Sequence, residues 1–343
     1  MPVPRSALHA TLLGYNHAQP SFRYRMLSLA PALEAAGWTV SLETFPSGRY
    51  IVRTWERREL LRRSNVVVLH QIKLSGVEAR LLAALAPRRV FDFDDAIYVR
   101  KPRRLGDPAG DSWWRRRKFA ATCRFVDVVA AGNEVLARAA APYARRVVIL
   151  PTALDTGVYR ATSATQEDPP TIVWVGSPEN LVYLEMLRPA LARLSTRYPT
   201  LQLRVICSKF PDWSDVRIDP VLWSPANEIA ALASSHIGVM PLTDDEWSRG
   251  KCAFKLLQYM AASLPCVASP VGANTEAVIE NQTGFHASNV PEWEAALQRL
   301  IRSSELRSRL GAAGRALVEE RYGVRNYQTR YVEVLANLVA ASY

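Results

Sequence analysis

Short apolar runs joined by stretches of helical spacing recur along this chain, lapse once near the middle, and then recur again. The runs at 10–13, 39–42, 66–69, 90–93, 126–130 and 147–150 are short and largely apolar, so they read as buried strands. Such strands, each reached through a helix, belong to a parallel sheet held between two helical layers. The first connection shows the pattern: across 21–36, Met26, Leu29, Ala30 and Leu33 share one stripe, and Gly37 supplies the stop. Residues 151–170 are instead rich in Pro, Thr, Ser, Asp and Gly. They include the adjacent Pro169 and Pro170, which can continue neither a helix nor a central strand. Beyond them come runs at 172–175, 201–207, 221–223, 237–240 and 266–269, with one long helix expected up to Tyr198. The end is helical over 292–320 and 325–341, with Gly311, Gly314 and Gly323 as interruptions.

This alternation predicts an α/β protein of two Rossmann-like, doubly wound parallel-sheet domains facing across a cleft. The expected boundaries are 1–150 for the first domain, 151–170 for a linker, 171–322 for the second domain, and 323–343 for a final helix packing back toward the first. At 343 residues and 49% hydrophobic, the chain has enough apolar material for two cores. With 22% charged residues and no low-complexity tract, a disordered chain, a collagen or a coiled coil is excluded. Cys123, Cys207, Cys252 and Cys266 lie far apart, with no CxxC pair and no His at ligand spacing, so neither a disulfide framework nor a metal is expected. No apolar run is long enough to span a bilayer and the start lacks a leader pattern, which reads as a cytoplasmic protein.

The charge of +11 is uneven: residues 1–160 carry 26 Lys and Arg against 13 Asp and Glu, whereas residues 161–343 carry 17 against 19. A basic half attracts phosphorylated small molecules, anionic membrane and nucleic acid alike. No helix-turn-helix, RRM, KH or zinc-finger pattern accompanies the charge, so nucleic acid is not expected as a partner.

Ligands of open parallel sheets bind beyond the carboxyl ends of the strands, which directs attention to the residues there. Gly176-Ser177-Pro178-Glu179 follows the strand at 172–175 and opens a helix whose free N–H groups could hold a phosphate; the same residues also make an ordinary capped turn. The stretch 241–261 leaves a strand, crosses a polar loop with Asp244, Asp245, Glu246 and Arg249, and enters a helix. Lys251 and Lys255 place positive charge at that helix start, where it opposes the macrodipole and so suggests an anionic ligand, unless the amines pair with the loop carboxylates.

The run 255–269, KLLQYMAASLPCVAS, together with Val271-Gly272 and 281–285, resembles the donor-site helix and following strand of GT-B glycosyltransferases, most closely the family 4 type. The resemblance extends over nearly the whole chain. It implies the GT-B fold and transfer of a sugar, with retention and without a metal, from a nucleotide-diphosphate donor to an acceptor hydroxyl. In that family one Glu binds the donor ribose and another, eight residues earlier, contacts the donor sugar; Gln258 and Gly250 stand at those positions. The donor-binding residues it implies are Gly176, Ser177, Glu246, Arg249, Lys251, Lys255 and Gln258, with Glu246 replacing the lost carboxylate if its loop folds inward. No cofactor is implied, because the nucleotide sugar enters as substrate. A nucleotide-sugar epimerase and a catalytically degenerate glycan- or partner-binding member share the fold and are the alternatives.

Asp92, Asp94 and Asp95 end the strand at 90–93. The resemblance puts a catalytic-centre or acceptor-contact role on Asp94 and Asp95, whereas Asp92 reads as structural, paired with an arginine. The Asp-x-Asp spelling also matches the metal site of single-domain glycosyltransferases, which the tandem pattern disfavours. It approaches the dehalogenase-type phosphatase motif too, whose Thr is replaced here by Ala96. Asn16, Arg23 and Arg25 fall where the resembling family faces its acceptor, and both arginines, at a helix start, could hold an anion or pair with the aspartates. His17 and His70 read as ordinary loop and strand-end residues. Basic clusters lie at 53–63, 100–104 and 113–118. The last, Trp113-Trp114-Arg115-Arg116-Arg117-Lys118, suits peripheral association with the anionic inner face of a membrane carrying a lipid-linked acceptor, or else is a solvated helix with its tryptophans in the core. A glycan or a small molecule is the other acceptor class.

Overall fold

The computed structural model describes residues 8–102, 107, 110–159 and 170–341. Half of the expected linker, 160–169 with Pro169, and Arg103 and Arg104 of one basic cluster lie outside these residues. Among the described residues, twelve strands form two parallel sheets of six. The first comprises β1 (Leu8–Gly14), β2 (Trp38–Thr44), β3 (Val66–His70), β4 (Arg89–Phe93), β5 (Val128–Ala131) and β6 (Val147–Ile149), in the order β2-β1-β3-β4-β5-β6. The second comprises β7 (Ile172–Val175), β8 (Gln202–Cys207), β9 (Arg217–Leu222), β10 (Ile237–Met240), β11 (Cys266–Ala268) and β12 (Gly284–His286), in the order β12-β11-β10-β7-β8-β9.

Side-chain alternation divides each sheet between two cores. In the first, Leu13, Val67, Leu69, Phe91, Phe93 and Val129 pack on one face with the helices Gly76–Leu85 and Trp113–Phe125. Ala10, Leu12, Val66, Val68, Val90 and Val128 pack on the other with Leu33, Tyr327, Tyr331 and Leu335. Asp92 lies in register with the second set, so it points at the final helix, Val324–Ala340, which crosses back onto the first domain. Backbone bonds between Leu154 and both Tyr322 and Val324 tie the outgoing linker to the entry of that helix.

Three expectations for single elements are corrected. The stretch 21–36 is not one helix: a short turn at Pro20–Phe22 runs into a π-turn at Arg23–Leu27, closed by the Ser28 N–H on the Arg23 carbonyl, before Ala30–Ala35 resumes. Pro31 cannot donate to the preceding turn, and the wide π-turn absorbs that loss while turning Arg25 inward. The long helix after Gly176 is likewise broken into Pro178–Asn180, Leu181–Leu184 and Arg188–Arg197, the last restarted at Pro189, so no long dipole points at the cleft. Gly311 and Gly314 do not interrupt their helix, Ser304–Arg321; they let it lie directly on the Ser263 carbonyl and on Met260, where a Cβ would collide.

Candidate functional site

A cleft of ≈ 390 Å³ opens between the carboxyl ends of the two sheets. The second domain contributes Gly176, Ser177, Ser208, Trp223, Glu228, Met240, the segment Lys251 to Lys255, and Gln258. The first contributes Ser21, Arg23, Tyr24, Asp94 and Asp95, and the linker contributes Thr152. The turn after β7 and the loop after β10 flank the place where the second sheet reverses its winding order, which is where such sheets bind ligands.

One wall is cationic. Lys255, in the first turn of the helix Phe254–Ala261, is pushed down to about 7 by burial and then by its neighbours Lys251 and Lys101. Lys101, from the loop after β4, is pushed down to about 8 by burial and then by Lys251, with Glu179 and Asp95 pulling the other way. Two of these three neighbouring amines lose proton affinity first because burial strips them of water and then because of one another, so an anion placed beside them would be favoured. The backbone aims them: Ala253, before the helix, has φ 53, a left-handed conformation uncommon for a residue with a Cβ, and it turns Phe254 and Lys255 into the cleft. Lys255 also lies 5.1 Å from the Trp174 ring and Lys251 5.6 Å from the Trp247 ring.

The opposite end is aromatic and holds a buried carboxylate. Glu228 is 5% exposed, on the helix Pro225–Ala233, and accepts from Trp223 Nε1 at 2.7 Å, Gln258 Nε2 at 2.6 Å and the Tyr159 hydroxyl at 3.3 Å. Gln258 donates to Tyr159 as well, at 3.0 Å, so its amide positions both partners. Tyr24 packs on Phe254 with ring centres 4.1 Å apart, and the Arg23 guanidinium lies 5.3 Å from Tyr24 and 5.7 Å from Trp223. A planar group and its hydroxyls fit such a surround, because rings and guanidinium offer stacking faces and a carboxylate accepts from a diol.

Between these ends stand the two aspartates. Asp94 accepts from Gln71 Nε2 at 2.7 Å, from Thr152 Oγ1 at 3.4 Å and from the Ser21 hydroxyl. Gln71 takes φ 57 to reach it. No hydrogen bond to the Asp95 carboxylate exists among the described residues. Burial pushes Asp95 up to about 6 against the pull of Lys251, with Asp94 adding to the rise. Behind them Asp92, fully buried, binds the Arg25 guanidinium through two bonds of 2.7 and 2.6 Å. It also accepts from His70 Nδ1 at 2.8 Å and Tyr331 at 3.1 Å. The pairing with Arg25 holds the Asp92 carboxyl well below the usual range in spite of its burial. His70 Nε2 meets Ser21 Oγ at 2.8 Å, so the buried ion pair supports Asp94 from behind.

Several sequence expectations change. Arg25 is 0% exposed and spends its donors on Asp92, Leu150 and Thr152, so it holds no external anion. Asn16 is exposed and closes its own loop by accepting from the Ala18 N–H. Glu246 does not fold inward; its carboxylate accepts two hydrogen bonds from the Arg116 guanidinium across the domains, at 3.1 and 2.7 Å. Arg249 is exposed and bound to Asp244 at 2.6 and 3.0 Å. Neither is part of the cleft wall. Gly250 packs on Ala96 and Leu136 of the first domain so tightly that a Cβ would overlap them, and its carbonyl accepts from Asn133. Trp113 and Trp114 are 57% and 68% exposed, which removes the reading that puts them in the core. Asp94, Asp95, Gly176, Ser177, Arg23, Lys251, Lys255 and Gln258 line one cleft.

Sequence reasoning passed over Lys101, Glu228, Trp223, Tyr24 and Tyr159. One signal was available: Ser-Pro follows three strands, at Ser177-Pro178, Ser224-Pro225 and Ser269-Pro270, marking strand-to-helix turns on the ligand side of the sheet, and Trp223 and Glu228 flank the second.

Residues 169–303 match the family model described as Glycosyl transferases group 1. A sequence comparison with curated proteins gives no match. Among solved structures, sucrose-phosphate synthase from Thermosynechococcus elongatus is similar with a TM-score of 0.79 at 15% identity, covering 97% of this chain and 100% of that one. A glycosyltransferase from Rickettsia africae gives 0.74 at 12%, over 98% and 99%. HepE from Anabaena, in complex with UDP-glucose, gives 0.72 at 12%, over 96% and 100%. At these identities the likeness carries the fold, which is GT-B. No described helix is long and apolar enough to cross a membrane.

Proposed function

We infer that this chain, a glycosyltransferase of GT-B fold whose second domain matches the group 1 family, transfers a sugar from a nucleoside-diphosphate donor to an acceptor hydroxyl, with retention and without a metal. The observation that carries the reading is the pair Lys251 and Lys255 at one end of the cleft, with Lys101 close enough to act on both. As the bond from the anomeric carbon to the diphosphate breaks, negative charge builds on the departing group, and fixed cations there favour the transition state over the bound donor. The diphosphate lies against these lysines and the backbone of Gly176 and Ser177. The nucleoside extends toward Gln258, Glu228 and Trp223, where Glu228 supplies the carboxylate that Gln258 lacks and accepts from the ribose hydroxyls.

The sugar then faces Asp94 and Asp95, and the acceptor hydroxyl enters from the first domain. Asp95, with its carboxylate free of hydrogen bonds among the described residues, accepts from the incoming hydroxyl, while Asp94 is held in place by Gln71, Ser21 and Thr152. The new bond forms between the acceptor oxygen and the anomeric carbon. In a retaining transfer the acceptor proton passes to the departing phosphate oxygen on the same face.

A second reading, a member that binds donor without turning it over, is favoured by Gly250, whose place is closed by Ala96 and Leu136. Thermal shifts with UDP-, GDP-, ADP- and dTDP-sugars test binding, since a ligand at 100 times its Kd stabilises by about 2.7 kcal/mol. Release of nucleoside diphosphate on adding acceptor glycans tests turnover. Stabilisation by none of the four overturns the donor reading; stabilisation with no release favours the binding-only one.

A further inference from the structure

We propose that the outer face of three first-domain helices, Tyr50–Glu56, Gly76–Leu85 and Trp113–Phe125, docks on the surface of an anionic lipid bilayer. The helices pack side by side, the middle one against both others, and their inward residues Tyr50, Leu82 and Phe119 lie in one core. Outward they present Ile51 (48% exposed), Val52 (51%), Trp55 (54%), Val77 (64%), Trp113 (57%) and Trp114 (68%). These are half of the exposed large apolar side chains among the described residues, on less than a tenth of the chain, so the exposure is concentrated rather than scattered.

The spacing explains the exposure. In the first helix Tyr50 and Thr54 are buried, which leaves 51, 52 and 55 as one outward stripe. In the third, Phe119, Ala120 and Cys123 face in, and the tryptophans of the first turn face out. Trp113 and Trp114 meet edge to face at 4.6 Å. Each end of the face pairs a tryptophan with a guanidinium: Arg117 is 4.9 Å from the Trp113 ring and Arg58 5.1 Å from that of Trp55.

Charge selects the partner. The helix Trp113–Phe125 carries Arg115, Arg116, Arg117, Lys118 and Arg124 and no carboxylate, and residues 49–63 carry six arginines against Glu56 and Glu59. Carboxylates match Arg116, through Asp111 and Glu246, and Arg57, Arg58 and Arg62, through Glu43, Glu56 and Glu59, but the cations on these segments still outnumber them, and beneath them Lys73 is pushed down to about 8, first by burial and then by Arg115 and Lys118. Tryptophan beside arginine suits the headgroup layer, where an indole ring has one apolar and one wet side. Exposed Ile51, Val52 and Val77 add nothing to contact with a nucleic-acid backbone, but they gain by entering the acyl boundary. The occupant is therefore a bilayer rather than a polyanion. Arg116 of the same helix reaches Glu246 beside the cleft, so a docked face sets the cleft mouth next to the membrane.

The test is sedimentation of the full chain with vesicles of phosphatidylcholine alone or with one third phosphatidylglycerol, together with quenching of its tryptophans by brominated lipid. The expected result is binding to anionic vesicles only, with quenched emission. The Trp113→Ser/Trp114→Ser variant should partition at least tenfold less, while its circular dichroism and its binding of nucleoside diphosphates stay unchanged. Vesicle binding that ignores lipid charge, emission that brominated lipid does not quench, an unaffected double variant, or binding to DNA but not to vesicles would each overturn the proposal. Because nucleotide binding is measured separately, failure here leaves the donor reading standing.

Discussion

Binding of a nucleoside diphosphate at pH 8 should draw protons from the buffer. In the ligand-free protein Lys255 titrates at about 7 and Lys101 at about 8. At pH 8 roughly one tenth of Lys255 and about half of Lys101 are therefore charged. A diphosphate beside them restores both toward the ordinary lysine value of about 10.4, so saturation takes up about 1.4 protons at pH 8 but only about 0.1 at pH 6. By linkage the affinity should fall about 50-fold between pH 8 and 9. Calorimetric titration with the tightest of UDP, GDP, ADP and dTDP, in buffers of different ionisation enthalpy, counts those protons directly. Lys255→Met should remove about 0.9 of the 1.4. For the empty protein the sign is opposite: a lysine whose folded value lies below its unfolded one costs stability while charged, so that cost fades as pH rises from about 7 toward 10. Uptake near zero at pH 8, or the same uptake in wild type and Lys255→Met, would refute the lysine cluster as the diphosphate site.

Two further outcomes follow from buried carboxylates. Glu228→Gln keeps the shape but loses the charge that accepts from Trp223, Tyr159 and Gln258, so affinity for the nucleoside alone should fall about 10- to 100-fold, corresponding to a charged hydrogen bond of ~1.5–3 kcal/mol. Equal nucleoside binding by the variant, measured by calorimetry, would remove Glu228 from the site. Asp92→Asn strands the fully buried Arg25 without its counter-charge and should cost about 3–5 kcal/mol in urea unfolding. Since Asp92 is depressed in the fold, its contribution is present above about pH 4 and is lost as pH falls below that. A loss under about 1 kcal/mol would show that the pair does not hold the strand end.

Much of the architecture was legible in the residues because a doubly covered parallel strand must be apolar on both faces. The runs at 66–69, 90–93, 172–175 and 237–240 could adopt no other stable arrangement between helical segments. Lys251 and Lys255 were visible for the complementary reason: a positive charge at a helix start breaks a local rule, and its compensation must come from outside the helix. Residues whose role depends on a partner far along the chain were not legible. Arg23 and Arg25, two apart in one motif, looked alike; the π-turn sends one to Asp92 and leaves the other at the cleft.

What the sequence determined by itself was therefore the succession of strands, the lapse between two domains, and the strand ends beyond which ligands of such sheets bind. These follow from local polarity and period alone. Which charges stay free was decided only by the tertiary structure. Glu246 and Arg249 are matched by Arg116 and Asp244, Gly250 is closed in by Ala96, Glu228 arrives at the cleft from a distant segment, and Lys101 arrives beside Lys251 and Lys255. A charged side chain acts on a ligand only when no nearer partner neutralises it, and nearness across more than a hundred residues is set by packing.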